Sequence, residues 1–117
     1  MWSPTDDLIV YSTEVVAGTV ALAAVRADGR SAPLPTLKVR PGSYRFLPNG
    51  TGLVYLPAAN SPNFWMLDLV SHAVQQLTRF DGRGRLQTFD FSADGKRIIF
   101  DRWNENANIM LIARPAR

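Results

Sequence analysis

Residues 91–100, FSADGKRIIF, decide the fold, because two earlier segments of the chain repeat their pattern. Residues 2–11 are WSPTDDLIVY and residues 46–55 are FLPNGTGLVY, and the three segments align without gaps. In each segment one aromatic residue stands first and another stands tenth. The spacing between segments is 44 and then 45 residues. A period of this length indicates an internal structural repeat.

A second block keeps the same offsets further along the chain. It consists of an apolar run that follows a polar residue, and the polar residues are Thr19, Asn63 and Asn108. The runs occupy residues 20–23, 64–67 and 109–112. Two aligned blocks predict that the whole repeat keeps one constant register.

Each repeat is predicted to be a succession of short strands. Asp, Asn and Gly in the middle of each segment favour a tight turn. The apolar, β-branched runs after this turn favour a pleated sheet, and they lie at residues 8–11, 53–56 and 98–100. Polar loops are expected next, at residues 12–18, 57–62 and 101–107.

The remaining elements complete a four-stranded unit. Turns are expected at residues 27–29 and 71–72, outer strands near 35–39 and 74–78, and the inner strand of the third repeat at 86–91. Helix competes for residues 20–26 and 64–70, but both stretches are too short and too abruptly bounded by Gly and Pro. The prediction is therefore an all-β chain.

Four strands in about 45 residues are the unit of a β-propeller blade, and the residues resemble the TolB-type repeat. That repeat has an aromatic residue, Ser, Pro, Asp, Gly, a basic residue and a β-branched pair, and its outer strand ends in Leu-Thr. Residues 91–100 depart from it only at Ala93, and residues 77–78 supply the Leu-Thr ending. The first copy has Asp6-Asp7 in place of Asp-Gly, and the second has Leu47 for Ser and Asn49 for Asp.

The resemblance implies a partial β-propeller of roughly three four-stranded antiparallel blades, at residues 1–40, 41–85 and 86–117. The 117 residues make about 2.6 blades, whereas closed propellers have roughly 4 to 8. Either absent parts of a longer chain complete the ring, or copies associate head to tail, most simply as a dimer of five or six blades. The strand missing from the third repeat could come from an N-terminal segment of a neighbour.

Three functions are open for such a chain. It could be a non-catalytic scaffold that binds a protein or ligand through loops of one face. Propellers of this kind also look like the lids of prolyl-oligopeptidase-type peptidases, whose catalytic domain would lie elsewhere. They are similar, too, to C-terminal modules of bacterial Ser/Thr kinases or winged-helix regulators, and residues 108–114 resemble the carboxyl ends of that last group. The flanking coding sequence would discriminate among them.

No catalytic machinery is expected. The chain has no Cys and one His, it lacks the Gly-x-Ser-x-Gly elbow and the Walker lysine, and His72 falls at a predicted turn. Neither a cofactor nor a metal is predicted, because the turn carboxylates Asp6, Asp7, Asp94 and Asp101 have local structural roles there. Asp90 lies on the predicted inner strand, where it could face the channel or pair with an arginine.

Charge and hydropathy exclude other classes. The net charge is +3 and eleven of the 13 basic residues are Arg, an excess too small to predict nucleic-acid binding. No apolar run approaches 18 residues, so no membrane span is expected, and residues 1–4 show no signal-peptide pattern. The sequence leaves the compartment open.

The candidate partner-binding residues lie on two loops predicted to emerge on one face. Arginines beside an exposed aromatic residue are typical of interaction hot spots. Trp65, in contrast, falls within a strand and is predicted to belong to the core. The candidates are Arg79, Arg83, Arg85, Trp103, Asn104 and Glu105.

Overall fold

The part of the chain that the structure describes forms three antiparallel β-sheets that follow one another along the sequence. The structure is a computed structural model, and it describes residues 1–57, 63–80, 86–102 and 105–110, the backbone alone for residues 87, 102 and 105–110. Within these ranges there is no helix. The all-β prediction is confirmed, and the helical alternative for residues 20–26 and 64–70 is excluded by strands there.

The described residues form eleven strands. The first sheet contains β1 (Leu8–Val16), β2 (Thr19–Arg26), β3 (Ser31–Ala32) and β4 (Lys38–Val39). The second contains β5 (Tyr44–Phe46), β6 (Gly52–Tyr55), β7 (Trp65–Asp68) and β8 (Val74–Gln76) in sequential order. The third contains β9 (Leu86–Phe91), β10 (Arg97–Arg102) and β11 (Glu105–Met110).

The first block of the repeat is also a repeat in three dimensions. The aromatic residue that opens each segment pairs with the eighth residue of the same segment: Trp2 with Ile9, Phe46 with Leu53, and Phe91 with Ile98. In the first sheet the inner strand is represented by residues 1–3, whose backbone exchanges hydrogen bonds with Leu8 and Val10. The three sheets therefore share one arrangement of inner strand, turn and second strand.

The predicted loops at residues 12–18 and 101–107 are wrong. β1 continues to Val16, and Ala17 and Gly18 alone turn the chain into β2, with φ of 53° and 79°. Positive φ at both central residues defines a type I′ turn, whose twist matches that of paired strands. In the third sheet β10 runs to Arg102 and β11 begins at Glu105. Thr13, Val15 and Val16 are β-branched and favour the extension of β1 into a stretch whose polarity suggests a loop.

The second block does not keep its register in the structure. Leu53 pairs with Leu67 in the second sheet, but Ile9 pairs with Val25, two positions beyond the aligned residue. Ile98 pairs with Ile109, three positions before it. The prediction of constant register over the whole repeat is wrong, because the paired residues are 16 positions apart along the chain in the first sheet, 14 in the second and 11 in the third.

The outer strand of the first sheet is split in two. β3 pairs with β2 at Ala24 and Val25, and β4 pairs with β2 at Val20 and Ala21. Pro33 and Pro35 lie between them, and proline has no N–H to donate to the ladder. The outer strand predicted at residues 35–39 is therefore reduced to Lys38–Val39.

The sheets pack face to face through two cores. One core joins the first and second sheets, and its members are Leu8, Val10, Val20, Leu22, Ala24, Val39, Tyr44, Phe46, Leu53, Tyr55 and Leu67. The other joins the second and third, and its members are Val54, Leu56, Phe64, Met66, Leu86, Phe89, Ile98 and Phe100. Because side chains alternate along a strand, β6 sends Leu53 and Tyr55 into the first core and Val54 into the second. The second sheet is thus covered on both faces, and Trp65 packs half-buried at the rim of the first core.

Candidate functional site

The register brings together the two ends that carry the predicted partner-binding residues. Leu86, at the start of β9, pairs with Arg102, at the end of β10. The loop before β9 and the connection after β10 therefore leave the third sheet at the same end. Of the predicted residues, Arg83, Arg85, Trp103 and Asn104 lie outside the described residues, and Glu105 begins β11.

Arg79 is exposed at the entrance to the first of these loops, and its guanidinium donates to Gln76 Oε1 at 3.4 Å. A buried network holds the chain just beside it. Asn63 Oδ1 accepts hydrogen bonds from the Thr78 hydroxyl (3.0 Å) and the Phe80 N–H (2.6 Å). Thr78 Oγ1 in turn accepts the N–H of Phe64 at 3.0 Å. The threonine of the Leu-Thr ending therefore links the end of the outer strand, through hydrogen bonds, to the residues just before β7.

The first sheet carries an apolar surface, which we call the open face. Its members are Trp2, Ile9, Tyr11, Ala23 and Val25. Trp2 bridges Ile9, Ile9 pairs with Val25, and Tyr11 pairs with Ala23. Directly opposed residues of antiparallel strands point to the same side of the sheet. The other side, with Leu8 and Val10, is buried in the first core.

The repeat contained the signal for this surface. Ile9 corresponds in sequence to Leu53 and Ile98, and both of these are fully buried against the preceding sheet. A strand whose two faces are both apolar is typical of a sheet covered on both sides. Residues 8–10 are continuously apolar in the same way as 53–55. The first sheet therefore carries the same kind of face as the other two, and in the described part of the chain this face has no sheet against it.

Corresponding turns of neighbouring repeats pack on each other. Gly50 lies so close to the first turn that a Cβ added there would be 1.9 Å from Thr5 Oγ1. A Cβ on Gly95 would be 3.2 Å from the Pro48 ring. Thr5 also donates from its hydroxyl to the carbonyl of Asn49 at 3.4 Å. In the first repeat the position of these two glycines is occupied by Asp6.

Asp6 and Asp7 bind an arginine. Arg26 Nη1 lies 2.8 Å from Asp6 Oδ2 and 2.9 Å from Asp7 Oδ1. The hydrogen bond from Arg26 lowers the pKa of Asp6 and, reciprocally, raises the pKa of Arg26. All three side chains are well exposed, so solvent screens the pair. The arrangement ties the first turn to the end of β2.

Arg40 forms a clasp between the second and third sheets that the sequence did not reveal. This residue precedes β5 and is buried, with only 9% of its surface exposed. Its Nε donates to Ser43 Oγ at 2.7 Å, and its Nη1 donates to the carbonyl of Leu86. A planar guanidinium can satisfy acceptors in two directions at once. Arg40 thus links the turn before β5 to the first residue of β9.

The other candidate chemical groups have local structural roles. Asp94 accepts hydrogen bonds from Ser92 Oγ (2.6 Å) and from the Lys96 N–H (3.0 Å), which lower its pKa. Asp101 accepts from Thr88 Oγ1 at 2.9 Å. Asp90 accepts the N–H of Phe91 at 2.8 Å.

His72 stands at the turn between β7 and β8 with φ of 62°. Its N–H donates to the carbonyl of Asp68 at 2.8 Å, which closes the turn. Across the described residues, no three His, Cys, Asp or Glu side chains gather where they could hold a metal ion.

No model of a known protein family matches the chain. No curated protein matches it significantly. No helix among residues 1–57, 63–80, 86–102 and 105–110 is long and apolar enough to cross a membrane.

Proposed function

We propose that the chain is a non-catalytic interaction scaffold of the β-propeller type, which binds a protein partner through loops at one end of its stacked sheets. The observation that carries the proposal is the burial of the second sheet on both faces by neighbours of the same construction. Blades of a propeller pack on their neighbours in this way. The stack supplies a rigid support on which loops can present side chains.

The loops before β9 and after β10 are the proposed binding surface. Their ends are adjacent because Leu86 pairs with Arg102. The Asn63–Thr78 network and the Arg40 clasp hold the chain on either side of this end. Arg79, Arg83 and Arg85 would offer bidentate donors to carboxylates, and Trp103 would add apolar contact area. The expected partner is a protein segment with acidic and aromatic residues.

The non-catalytic part of the proposal is supported by how the described polar side chains are used. Asp6 and Asp7 bind Arg26, and Asp94 closes its own turn. Carboxylates that already hold an arginine or a turn are poorly placed for acid–base work, which needs a reactive group within hydrogen-bond reach of a substrate.

A phage-displayed library of random peptides tests the proposed surface. Peptides enriched on the wild-type chain are expected to be acidic, and their affinity should fall at least tenfold in an Arg79→Glu, Arg83→Glu, Arg85→Glu variant. Arg30→Glu is the control, because Arg30 is an exposed arginine at the β2–β3 turn whose guanidinium donates to the nearby Asp28. Equal binding by the triple variant and the control would refute the loop surface.

A further inference from the structure

We propose that the open face of the first sheet docks against the outer face of the third sheet of a second copy, so that two chains associate head to tail. The outer face is defined by Thr88, Asp90, Arg97, Ile99 and Asp101, which lie on the side of β9 and β10 away from the second core. The inference rests on the propeller-type stacking of the proposed function, but it concerns a different surface from the loops.

The first reason is continuity with the two interfaces already present inside the chain. The strands β1, β6 and β10 occupy the same place in the three sheets. In both interfaces, the first and third residues of one of these strands meet the second and fourth residues of the next one. Leu8 and Val10 meet Leu53 and Tyr55, and Val54 meets Ile98 and Phe100. The open face contains the second and fourth residues of β1, Ile9 and Tyr11. The outer face contains the first and third residues of β10, Arg97 and Ile99. The two remaining faces are therefore the two halves of the same interface.

The second reason is the exposure of aromatic residues that are buried elsewhere in the repeat. Tyr11 is 46% exposed, whereas the corresponding Tyr55 and Phe100 are 3% and 2% exposed. Trp2 is 62% exposed, whereas the corresponding Phe46 is 7% exposed. Exposed aromatic residues grouped on one face of a sheet are characteristic of an interaction surface. The occupant that would bury them in the same way as their counterparts is another sheet of this repeat.

The third reason comes from the opposite surface, which shows the same contrast. Ile99 is 51% exposed, whereas the corresponding Val10 and Val54 are 0% exposed. Each of these two valines is covered by the following sheet. A single docking event would therefore bury Ile99 and Tyr11 together.

The turns are compatible with this docking. Inside the chain Pro48 packs on Gly95, where a side chain on the glycine would already be tight. The corresponding pair between copies is Ala93 on Asp6. Ala93 is smaller than Pro48, and Asp6 is larger than Gly95, so the two differences offset each other. The turns of two copies can therefore approach each other without a glycine.

When two copies make one head-to-tail contact, one open face and one outer face stay uncovered. Both are covered if the same two copies make a second contact of this kind and form a ring. Two copies contain six sheets, which is within the roughly 4 to 8 blades of closed propellers. A heterologous interface that closes gives a ring, and one that does not close gives a filament. The expected species is a closed dimer with twice the 13.0 kDa mass of one chain.

Sedimentation velocity at micromolar concentration tests the proposal with three variants of the full chain. Tyr11→Glu damages the open face and Ile99→Lys damages the outer face, and each is expected to weaken the dimer roughly a hundredfold because a charge would be buried. Val70→Lys is the control, since Val70 is an exposed apolar residue at the β7–β8 turn. Thermal melts followed by circular dichroism establish that each variant is folded.

Mixing the two damaged variants is the decisive measurement. The Tyr11→Glu chain keeps an intact outer face and the Ile99→Lys chain keeps an intact open face, so these two faces can form one normal interface. At the second interface of the pair, the carboxylate introduced at position 11 would meet the ammonium group introduced at position 99. The mixture should form a dimer although neither variant does so alone. A monomeric wild-type chain would overturn the proposal, and so would a dimer that survives Ile99→Lys, because that result indicates contact between two open faces. A wild-type chain that is monomeric but still binds the enriched peptides would refute this inference and leave the loop surface standing.

Discussion

Replacing Gly50 by alanine tests how closely the turns of neighbouring repeats pack. Gly50 has φ of 75° and Gly42 has φ of 74°, so both substitutions incur the same left-handed strain. That strain is about 1–2 kcal/mol for an L-residue. Nothing lies within 4 Å of a Cβ added to Gly42, whereas Thr5 Oγ1 would lie 1.9 Å from a Cβ added to Gly50. Gly42→Ala is therefore a matched control.

The additional loss at Gly50 follows from what Thr5 must do. Its hydroxyl can rotate away, but this breaks the bond to the Asn49 carbonyl, which is worth about 1 kcal/mol. The added Cβ of residue 50 would still lie 3.1 Å from the Cβ of Thr5. Holding the Thr5 side chain in a less favourable rotamer there adds about 0.5–1.5 kcal/mol. Gly50→Ala should thus cost about 2.5–4.5 kcal/mol in total. At roughly 4 °C per kcal/mol for a domain of this size, Tm should fall by about 10–18 °C, against about 4–8 °C for Gly42→Ala.

A double-mutant cycle with Thr5→Ala separates contact from strain. Removing the Thr5 hydroxyl should bring the effect of Gly50→Ala close to that of Gly42→Ala, with a coupling free energy of about 1.5–2.5 kcal/mol. The measurement is thermal and urea unfolding of the four chains of the cycle together with the Gly42→Ala control. Equal destabilisation by the two glycine substitutions, or no coupling to Thr5, would refute the close packing of the first and second turns.

Three further predictions concern other contacts of the structure. Arg40→Met should lower the free energy of unfolding by about 2–3 kcal/mol, because Ser43 and the Leu86 carbonyl lose a charged donor. Thr78→Val should cost about 1–3 kcal/mol, since the buried N–H of Phe64 loses its acceptor. Asp94 has a lowered pKa, so its contribution to stability is complete above its ordinary value of 3.8 and is lost as the pH falls through the lowered folded-state value. Asp94→Asn should therefore flatten the acid limb of a plot of Tm against pH.

Conservative variants provide the controls for these predictions. Arg40→Lys keeps the charge but not the two-directional fork, so it should remain destabilised, and full recovery would contradict the clasp. Thr78→Ser keeps the hydroxyl and should be close to wild type in urea unfolding. An unchanged acid limb in Asp94→Asn would show that the hydrogen bonds from Ser92 and Lys96 do not hold its carboxylate in the ionised form.

The strand core of each repeat was predictable because it depends on local pattern. An apolar run after an Asp-Gly or Asn-Gly turn favours a strand wherever it is placed, so residues 8–11, 53–56 and 98–100 lie in β1, β6 and β10 or directly beside them. The inner strand Leu86–Phe91 was predicted with its observed bounds for the same reason. The connections were harder to predict. Polar residues occur both in loops and at the tips of hairpins, and only pairing with β2 shows that residues 12–16 remain in a strand.

By itself, the sequence determined that the chain is β-structured and that one turn-and-strand segment occurs three times, because both follow from the order and type of neighbouring residues. Only the tertiary structure decided which apolar residues are buried. Tyr11, Tyr55 and Phe100 occupy the same place in the pattern, yet the last two are covered by a preceding sheet and Tyr11 is not. The register of β2 and β11, the Arg40 clasp and the open face were decided in the same way, by contacts between residues far apart in the chain. Burial depends on what lies across the sheet, and local sequence does not contain that information.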